Sequence, residues 1–172
     1  MATSLDNYQR FIHTSRYARY IPELKRRENW DETVTRLTDF IRKHQPALGK
    51  DIDRIHDAVL NLQVMPSMRL LMTAGEACER DNISAYNCAY IAVSHKRVFS
   101  EILYILMNGT GVGFSCERQE IDKLPKLPDN ISKCPDTIVV GDSKLGWAKA
   151  FKKLLSSLWE GDIPTIDYSR VR

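Results

Sequence analysis

Along residues 31–45, apolar Val34, Leu37, Phe40 and Ile41 recur at three- and four-residue spacing among charged positions, and Pro46 follows. That period predicts an amphipathic helix, ended by a residue with no N–H to continue it. A second helix is predicted over 51–63, with Ile52, Ile55, Val59 and Leu62 on one face and Pro66 beyond its end. Residues 67–82 have no clear period and are rich in Met, Gly and small polar residues, which predicts a loop with a short helix. The stretch 84–93, SAYNCAYIAV, gathers β-branched and aromatic residues without a charge. It predicts a strand, and the lack of charge predicts burial on both faces, as in a parallel sheet or barrel.

Residues 96–108 repeat the helical period, with Val98, Phe99, Ile102, Leu103 and Leu106 inward, and 109–113 lead into a second strand over 112–117. Strand, helix and strand make one βαβ unit, whose crossover is expected to be right-handed. Pro125, Pro128 and Pro135 predict an irregular connection over 120–136, followed by a short strand at 137–140. Asp142 or Ser143 caps a helix running to about Trp159, with Ala148, Phe151, Leu154, Leu155 and Leu158 as its core face, and the last residues, IDYSRVR, read as extended. One βαβ unit cannot close a sheet, so the pattern reads as an unfinished α/β fold. Its unpaired strand edge and bare apolar face predict self-association.

Composition changes this picture little. Of 172 residues, 43% are apolar and 27% charged, the mix of a folded soluble protein. The apolar run at 102–107 is too short to cross a bilayer. The opening MATSLDNYQRFIH has no basic stretch followed by an apolar core, so no signal peptide is read and a cytoplasmic location, away from membranes, is expected. The net charge is +3, and the cluster Lys25-Arg26-Arg27 is followed at once by Glu28, Asp31 and Glu32. That interspersion reads as a solvated face rather than a nucleic-acid surface.

The four cysteines, Cys78, Cys88, Cys116 and Cys134, form no C-x-x-C, and the four histidines lack metal-ligand spacing, which argues against a structural zinc site. A cytoplasmic setting argues against a disulfide framework. A special cysteine here is therefore catalytic or redox-active, and an ordinary one is a small buried hydrophobe. On the predicted strand, Tyr86, Cys88 and Tyr90 share one face and Asn87, Ala89 and Ile91 the other. Such a thiol could face a substrate or simply pack, and the alternation leaves both readings open. The run Gly109–Gly113 fails as a phosphate loop, because Phe114-Ser115 stands where Lys-Ser or Lys-Thr is needed, and it closes a helix instead of opening one. Close backbone approach between helix and strand is its structural reading. Asp142 and Ser143, at a helix start, read either as an anion or nucleotide site or as a plain cap.

Taken in order, MPSMRLLMTAGEACERDN, YNCAY, LYILMNGTGVGFSCERQ, GDSKLGW and DYSRVR resemble the adenosylcobalamin-dependent (class II) ribonucleoside-triphosphate reductases, in their monomeric subgroup. The opening FIHTSRYARYIPELKRRENWDETVTR resembles that subgroup's N-terminal helical region, so the resemblance spans essentially the whole chain. It implies an N-terminal helical region at 1–66, the first βαβ part of a ten-stranded α/β barrel at 67–119, and at 120–172 a connection and helix like the effector-site insertion, running toward the next barrel strand. It also implies chemistry. A cobalamin-derived radical generates a thiyl that takes the 3′ hydrogen of a ribonucleotide. The 2′ hydroxyl leaves as water, and a cysteine pair supplies two electrons and becomes a disulfide.

Within that resemblance Cys88 matches the first cysteine of the reducing pair. Ser67 and Asn87 match positions near the ribose and phosphates. Asp142, Ser143, Lys144 and Trp147 match the region that binds a deoxynucleotide effector or scaffolds its site. Cys78, Cys116 and Cys134 match no catalytic cysteine. The thiyl cysteine, the second redox cysteine, the main phosphate loop, most adenosylcobalamin contacts and the C-terminal shuttle cysteines would all lie beyond Arg172. The implied partners are a ribonucleoside triphosphate substrate, a deoxynucleotide effector, the C-terminal part of the reductase in the same or a separate chain, and a thioredoxin-like reductant. The chain alone is expected to be inactive. The competing expectation is a non-catalytic deoxynucleotide-binding or interaction module derived from a reductase.

Overall fold

Asp6 and Gln9 close the first helix by reciprocal hydrogen bonds between their side chains and backbone N–H groups. A computed structural model describes residues 5–172; residues 1–4, the start of the stretch read as lacking a signal peptide, lie outside the described residues. The described chain forms two compact units that divide between Tyr86 and Asn87.

In the first unit, α1 (Asn7–Ile12) widens into a π-helical turn at His13–Tyr17, where the Ala18 N–H donates to the His13 carbonyl at 2.9 Å. A small antiparallel hairpin follows, β1 (Tyr20–Ile21) with β2 (Arg26–Arg27). Then come α2 (Trp30–His44), α3 (Asp51–Leu60), α4 (Met68–Thr73) and α5 (Glu76–Arg80). The start of α2 is set by Asn29 and Glu32, each side chain accepting from the other's backbone N–H at 2.8 Å. Acids in its first turn and Arg42, Lys43 and His44 in its last suit the helix dipole. The predicted faces of α2 and α3 are the buried ones: Val34, Leu37, Ile52 and Val59 are sealed, with Leu71 and Ala74. Tyr17, Trp30, Phe40, Ile41 and Leu70 pack around Leu37, Leu71 and Ala74. Residues 67–82 form two helices where one was expected. They are separated at Gly75, whose φ of +90° is a conformation that favours glycine.

A buried polar network ties these elements together. The Glu28 carboxylate accepts from Arg36 Nε and Nη2 at 2.8 and 2.9 Å, from the Thr33 hydroxyl at 2.9 Å and from the Arg19 N–H at 3.1 Å. Thr33 Oγ1 lies 2.8 Å from His13 Nε2. Because Thr33 spends its one proton on Glu28, the His13 Nε2–H donates to it. The last carbonyls of α4 have no partner within that helix. Arg36 donates to the carbonyls of Leu71 and Ala74, and Arg19 to those of Met72 and Thr73. Two guanidiniums thus cap one short helix.

The second unit reads β3 (Cys88–Ala92), α6 (Val98–Met107), β4 (Gly111–Ser115), α7 (Arg118–Ile121), β5 (Ser132–Val139), α8 (Lys144–Glu160) and β6 (Asp162–Asp167). β3 pairs in parallel with β4 across α6, and β5 in parallel with β6 across α8. The two helices pack together, with Phe99 and Trp159 ring centroids 5.9 Å apart. Gly109 (φ +82°) ends α6 and Gly161 (φ +95°) ends α8.

Three expectations change here. The strand expected over 84–93 begins at Cys88, because 82–85 wind into a 3-10 turn capped by the Asp81 carboxylate, which accepts from the Ile83 N–H at 3.0 Å. The irregular stretch expected over 120–136 becomes strand from Ser132, and a register shift between Lys133 and Thr137 accommodates Pro135. Of the end expected to be extended, 166–172, only Ile166 and Asp167 are strand; they finish β6, which begins at Asp162 and pairs with β5, so the unit holds two βαβ arrangements and not one. Among the described residues no helix is long and apolar enough to cross a membrane.

Candidate functional site

The expectation that the strand bearing Cys88 is buried on both faces does not hold. In the parallel ladder Cys88 pairs with Gly111, and Tyr90 with Gly113. Cys88 and Tyr90 are exposed, whereas Ala89, Ile91 and Val112 on the opposite face are half-buried beneath α6. The physical reason is that one helix covers one face of this two-stranded sheet. A Cβ built on Gly113 would lie 3.9 Å from Tyr90 Cδ2, so the two glycines share the open face. The thiol therefore stands over a strip of bare β4 backbone, beside the exposed Tyr90 ring. An exposed thiol on a rigid strand, next to backbone that a planar or sugar-like molecule can approach closely, is a chemically usable arrangement.

Asn87 precedes the thiol. Its carbonyl accepts from the Gly111 N–H at 2.9 Å, and its side chain is exposed. Ser67 belongs to the first unit, where its hydroxyl caps α4, accepting from the Leu70 N–H at 3.4 Å. Cys78 is buried, with its sulfur 3.3 Å from Thr73 Oγ1. Cys116 is exposed and Cys134 half-buried, and all four thiols are free. Among the described residues no three His, Cys, Asp or Glu side chains gather to hold a metal.

The GDSKLGW segment is gathered at the start of α8. Ser143 is the cap, accepting from the Gly146 N–H at 3.0 Å. Asp142 is ion-paired with Arg172, and Lys144 donates to the side-chain oxygen of buried Asn108, just after α6. Trp147 turns away from these polar groups. Its ring lies 6.0 Å from that of Tyr168, and it lines an apolar cavity of about 330 Å³ with Leu103, Ile138, Phe151, Leu154 and Ile166. Two residues that the sequence reading passed over make this turn possible. A Cβ at Gly146 would sit 2.3 Å from the Gly141 carbonyl oxygen, so the backbones touch where side chains would normally stand. The pair of glycines five apart around the cap is the signal. Asn108, between helix and strand, carried none.

The cavity beside Trp147, about 330 Å³ and lined by apolar side chains, is too small for a corrin cofactor with its nucleotide tail and does not by itself form a site for such a group.

No family model matches the chain. It is 29% identical over 170 residues to an adenosylcobalamin-dependent ribonucleoside-triphosphate reductase of Lacticaseibacillus paracasei, covering 79% of this chain and 22% of that protein. To the reductase of the same description from Lactobacillus acidophilus it is 32% identical over 160 residues, covering 74% and 21%. The fold matches a crystal structure of a B-12 dependent (class II) ribonucleotide reductase with a TM-score of 0.81 at 22% identity, over 94% of this chain and 32% of that one. The chain is thus related in sequence and in fold to the adenosylcobalamin-dependent ribonucleoside-triphosphate reductases, and spans about a fifth of the length of the curated relatives it matches.

Proposed function

We propose that this chain is the N-terminal part of a reductase that converts ribonucleoside triphosphates to 2′-deoxyribonucleotides, with Cys88 as one of its two reducing thiols. The observation that carries the reading is the Cys88 thiol, exposed on β3 over the bare backbone of Gly111 and Gly113. In this reading the open face of β3 and β4 is part of the inner wall of a ten-stranded barrel completed by residues outside 1–172. The division at 1–66, 67–119 and 120–172 belongs to the same proposal.

Cys88 and a second cysteine from the remainder act as a two-electron donor. The carbon–oxygen bond at the 2′ position breaks, the hydroxyl leaves as water, a hydrogen takes its place, and the two thiols become one disulfide. Their Cα atoms must then come within about 6 Å. A thioredoxin-like reductant returns the disulfide to thiols. Asn87 and Ser67 contact the ribose and phosphates. Asp142, Ser143, Lys144 and Trp147 bind or scaffold a deoxynucleotide effector. Adenosylcobalamin, on which the relatives depend by name, is held mainly by residues outside this chain, and the location is cytoplasmic.

The test mixes this chain with a polypeptide carrying the remainder and assays reduction of a ribonucleoside triphosphate with adenosylcobalamin and a dithiol. Turnover is expected with both pieces and with neither alone, and Cys88→Ser is expected to abolish it while assembly persists. Undiminished turnover in the Cys88→Ser mixture would sink the assignment and favour a nucleotide-binding or interaction module.

A further inference from the structure

A polar cleft in the first unit has no part in the reductase reading. It lies among α1, the hairpin and the start of α2, spans about 520 Å³, and is lined by Arg10, Thr14, Arg26, Arg27, Glu28 and Asn29. That volume is within the usual range for small-molecule clefts.

The charges in this cleft do not cancel. The Glu28 carboxylate is already saturated by Arg36, Thr33 and the Arg19 N–H. Arg26 is held as a fork on Glu32, at 2.7 and 2.8 Å. Arg27 spends one N–H on the Ala18 carbonyl at 2.8 Å and makes no ion pair among the described residues. Arg10 has neither an ion pair nor a side-chain hydrogen bond among the described residues. Each acid thus has its own cation, and two guanidiniums are left over. Neutral donors stand beside them. The Asn29 side-chain oxygen is taken by the Glu32 N–H, and among the described residues its NH₂ is unused and the exposed Thr14 hydroxyl is uncommitted. His13 and Trp30, with ring centroids 5.5 Å apart and nearly perpendicular, complete the wall.

We propose that this cleft binds the phosphate monoester group of a small molecule, gripped by Arg10 and Arg27, with Thr14 and Asn29 as neutral donors. A phosphate monoester carries a charge of about −1.5 to −2 at neutral pH, which matches the two uncompensated cations. Guanidinium forks fit phosphate oxygens two at a time.

The proposal is independent of the reductase reading and is tested on the whole 172-residue chain. Adenosine 5′-monophosphate, inorganic phosphate and adenosine are titrated separately by calorimetry at fixed ionic strength. The monophosphate is expected to saturate, inorganic phosphate to compete with it, and adenosine to give no heat. Arg10→Ala with Arg27→Ala is expected to weaken monophosphate binding at least tenfold. Arg10→Ala alone, which leaves no partner unpaired, is expected to weaken it several-fold without moving the thermal midpoint. Arg16→Ala, outside the cleft, is expected to leave binding unchanged. The proposal is overturned by adenosine binding as well as the monophosphate, by Arg10→Ala titrating like the unaltered chain, or by no saturation below about 10 mM.

Discussion

Cys88 stands across the parallel ladder from Gly111, so the strand beside it offers the thiol no side-chain neighbour. A thiol in that position is open to any reagent that reaches the sheet. Cys116 is likewise exposed, while Cys78 is buried beneath Thr73 and Ser84. In the native chain two thiols are expected to react fast with Ellman's reagent, Cys134 more slowly, and Cys78 only on unfolding. Cys88→Ser should remove one fast thiol and change stability by less than about 0.5 kcal/mol, as an exposed site allows. Rapid native labelling of Cys78 would contradict the packing described.

Gly146→Ala places a methyl group 2.3 Å from a backbone oxygen, where no side chain can swing aside. The turn before α8 must open to admit it. A loss of about 1–3 kcal/mol is expected from urea unfolding, with the Trp147–Tyr168 contact disturbed in near-ultraviolet circular dichroism. An unchanged midpoint would mean that Gly141 and Gly146 are not in contact.

The helical half of the chain was readable because its signals are local. Val34, Leu37, Ile52 and Val59 lie at helical spacing and all are buried. The strands were harder. Ser84 and Ala85 look like strand residues, yet the nearby Asp81 carboxylate wins them for a 3-10 turn. Lys133, Pro135 and Asp136 look unlike strand residues, and the register shift in β5 accepts them. The open face around Cys88 was illegible for another reason. A charge-free strand reads as doubly buried, and only the pairing partners reveal that glycines line one side. The resemblance singled out Cys88, whereas the Arg36 network depends on residues up to 38 positions apart that no periodic pattern links.

Removing Arg36 would strand a buried carboxylate. Its side chain and that of Glu28 are 16% and 8% exposed, so water can do little to compensate. Arg36→Met is expected to cost about 3–5 kcal/mol. The double variant with Glu28→Gln should recover part of this, and the coupling can be read from a double-mutant cycle in urea. Additive losses would show that the pair acts independently.

Acid should weaken the first unit in two stages. Burial, opposed by Glu28 and assisted by Arg36, holds the His13 imidazole below its ordinary value of 6.5. The unfolded chain therefore takes up this proton first, and stability falls as pH drops below about 6.5 until the folded imidazole titrates too. Burial pushes the Glu28 carboxyl upward, but hydrogen bonds from Arg36, Arg19 and Thr33 outweigh it and the net shift is downward from 4.5. Its contribution is present above that value and lost below it. Half-buried Glu32, lowered to about 2 by Arg26 and the Asn29 N–H, acts in the same lower range. His13→Gln keeps an N–H for Thr33 and cannot titrate. Urea midpoints between pH 7.5 and 5 should slope for the unaltered chain and flatten for this variant.

Each of the two parallel sheets has only two strands, and Tyr90, Phe114, Val139 and Ile163 are exposed on them. Self-association that rises with concentration is expected in sedimentation velocity, and a single monomeric boundary at high concentration would count against it.

The two arginines that reach the end of α4 have a consequence for the order of events in folding. Six residues cannot persist as a free helix in water. The carbonyl end of this one is completed by Arg19 and Arg36, from segments more than thirty positions upstream. Residues 68–73 should therefore become helical only once α2 and the hairpin are in place, and native-state hydrogen exchange should find their amides opening together with those of α2 as one cooperative block.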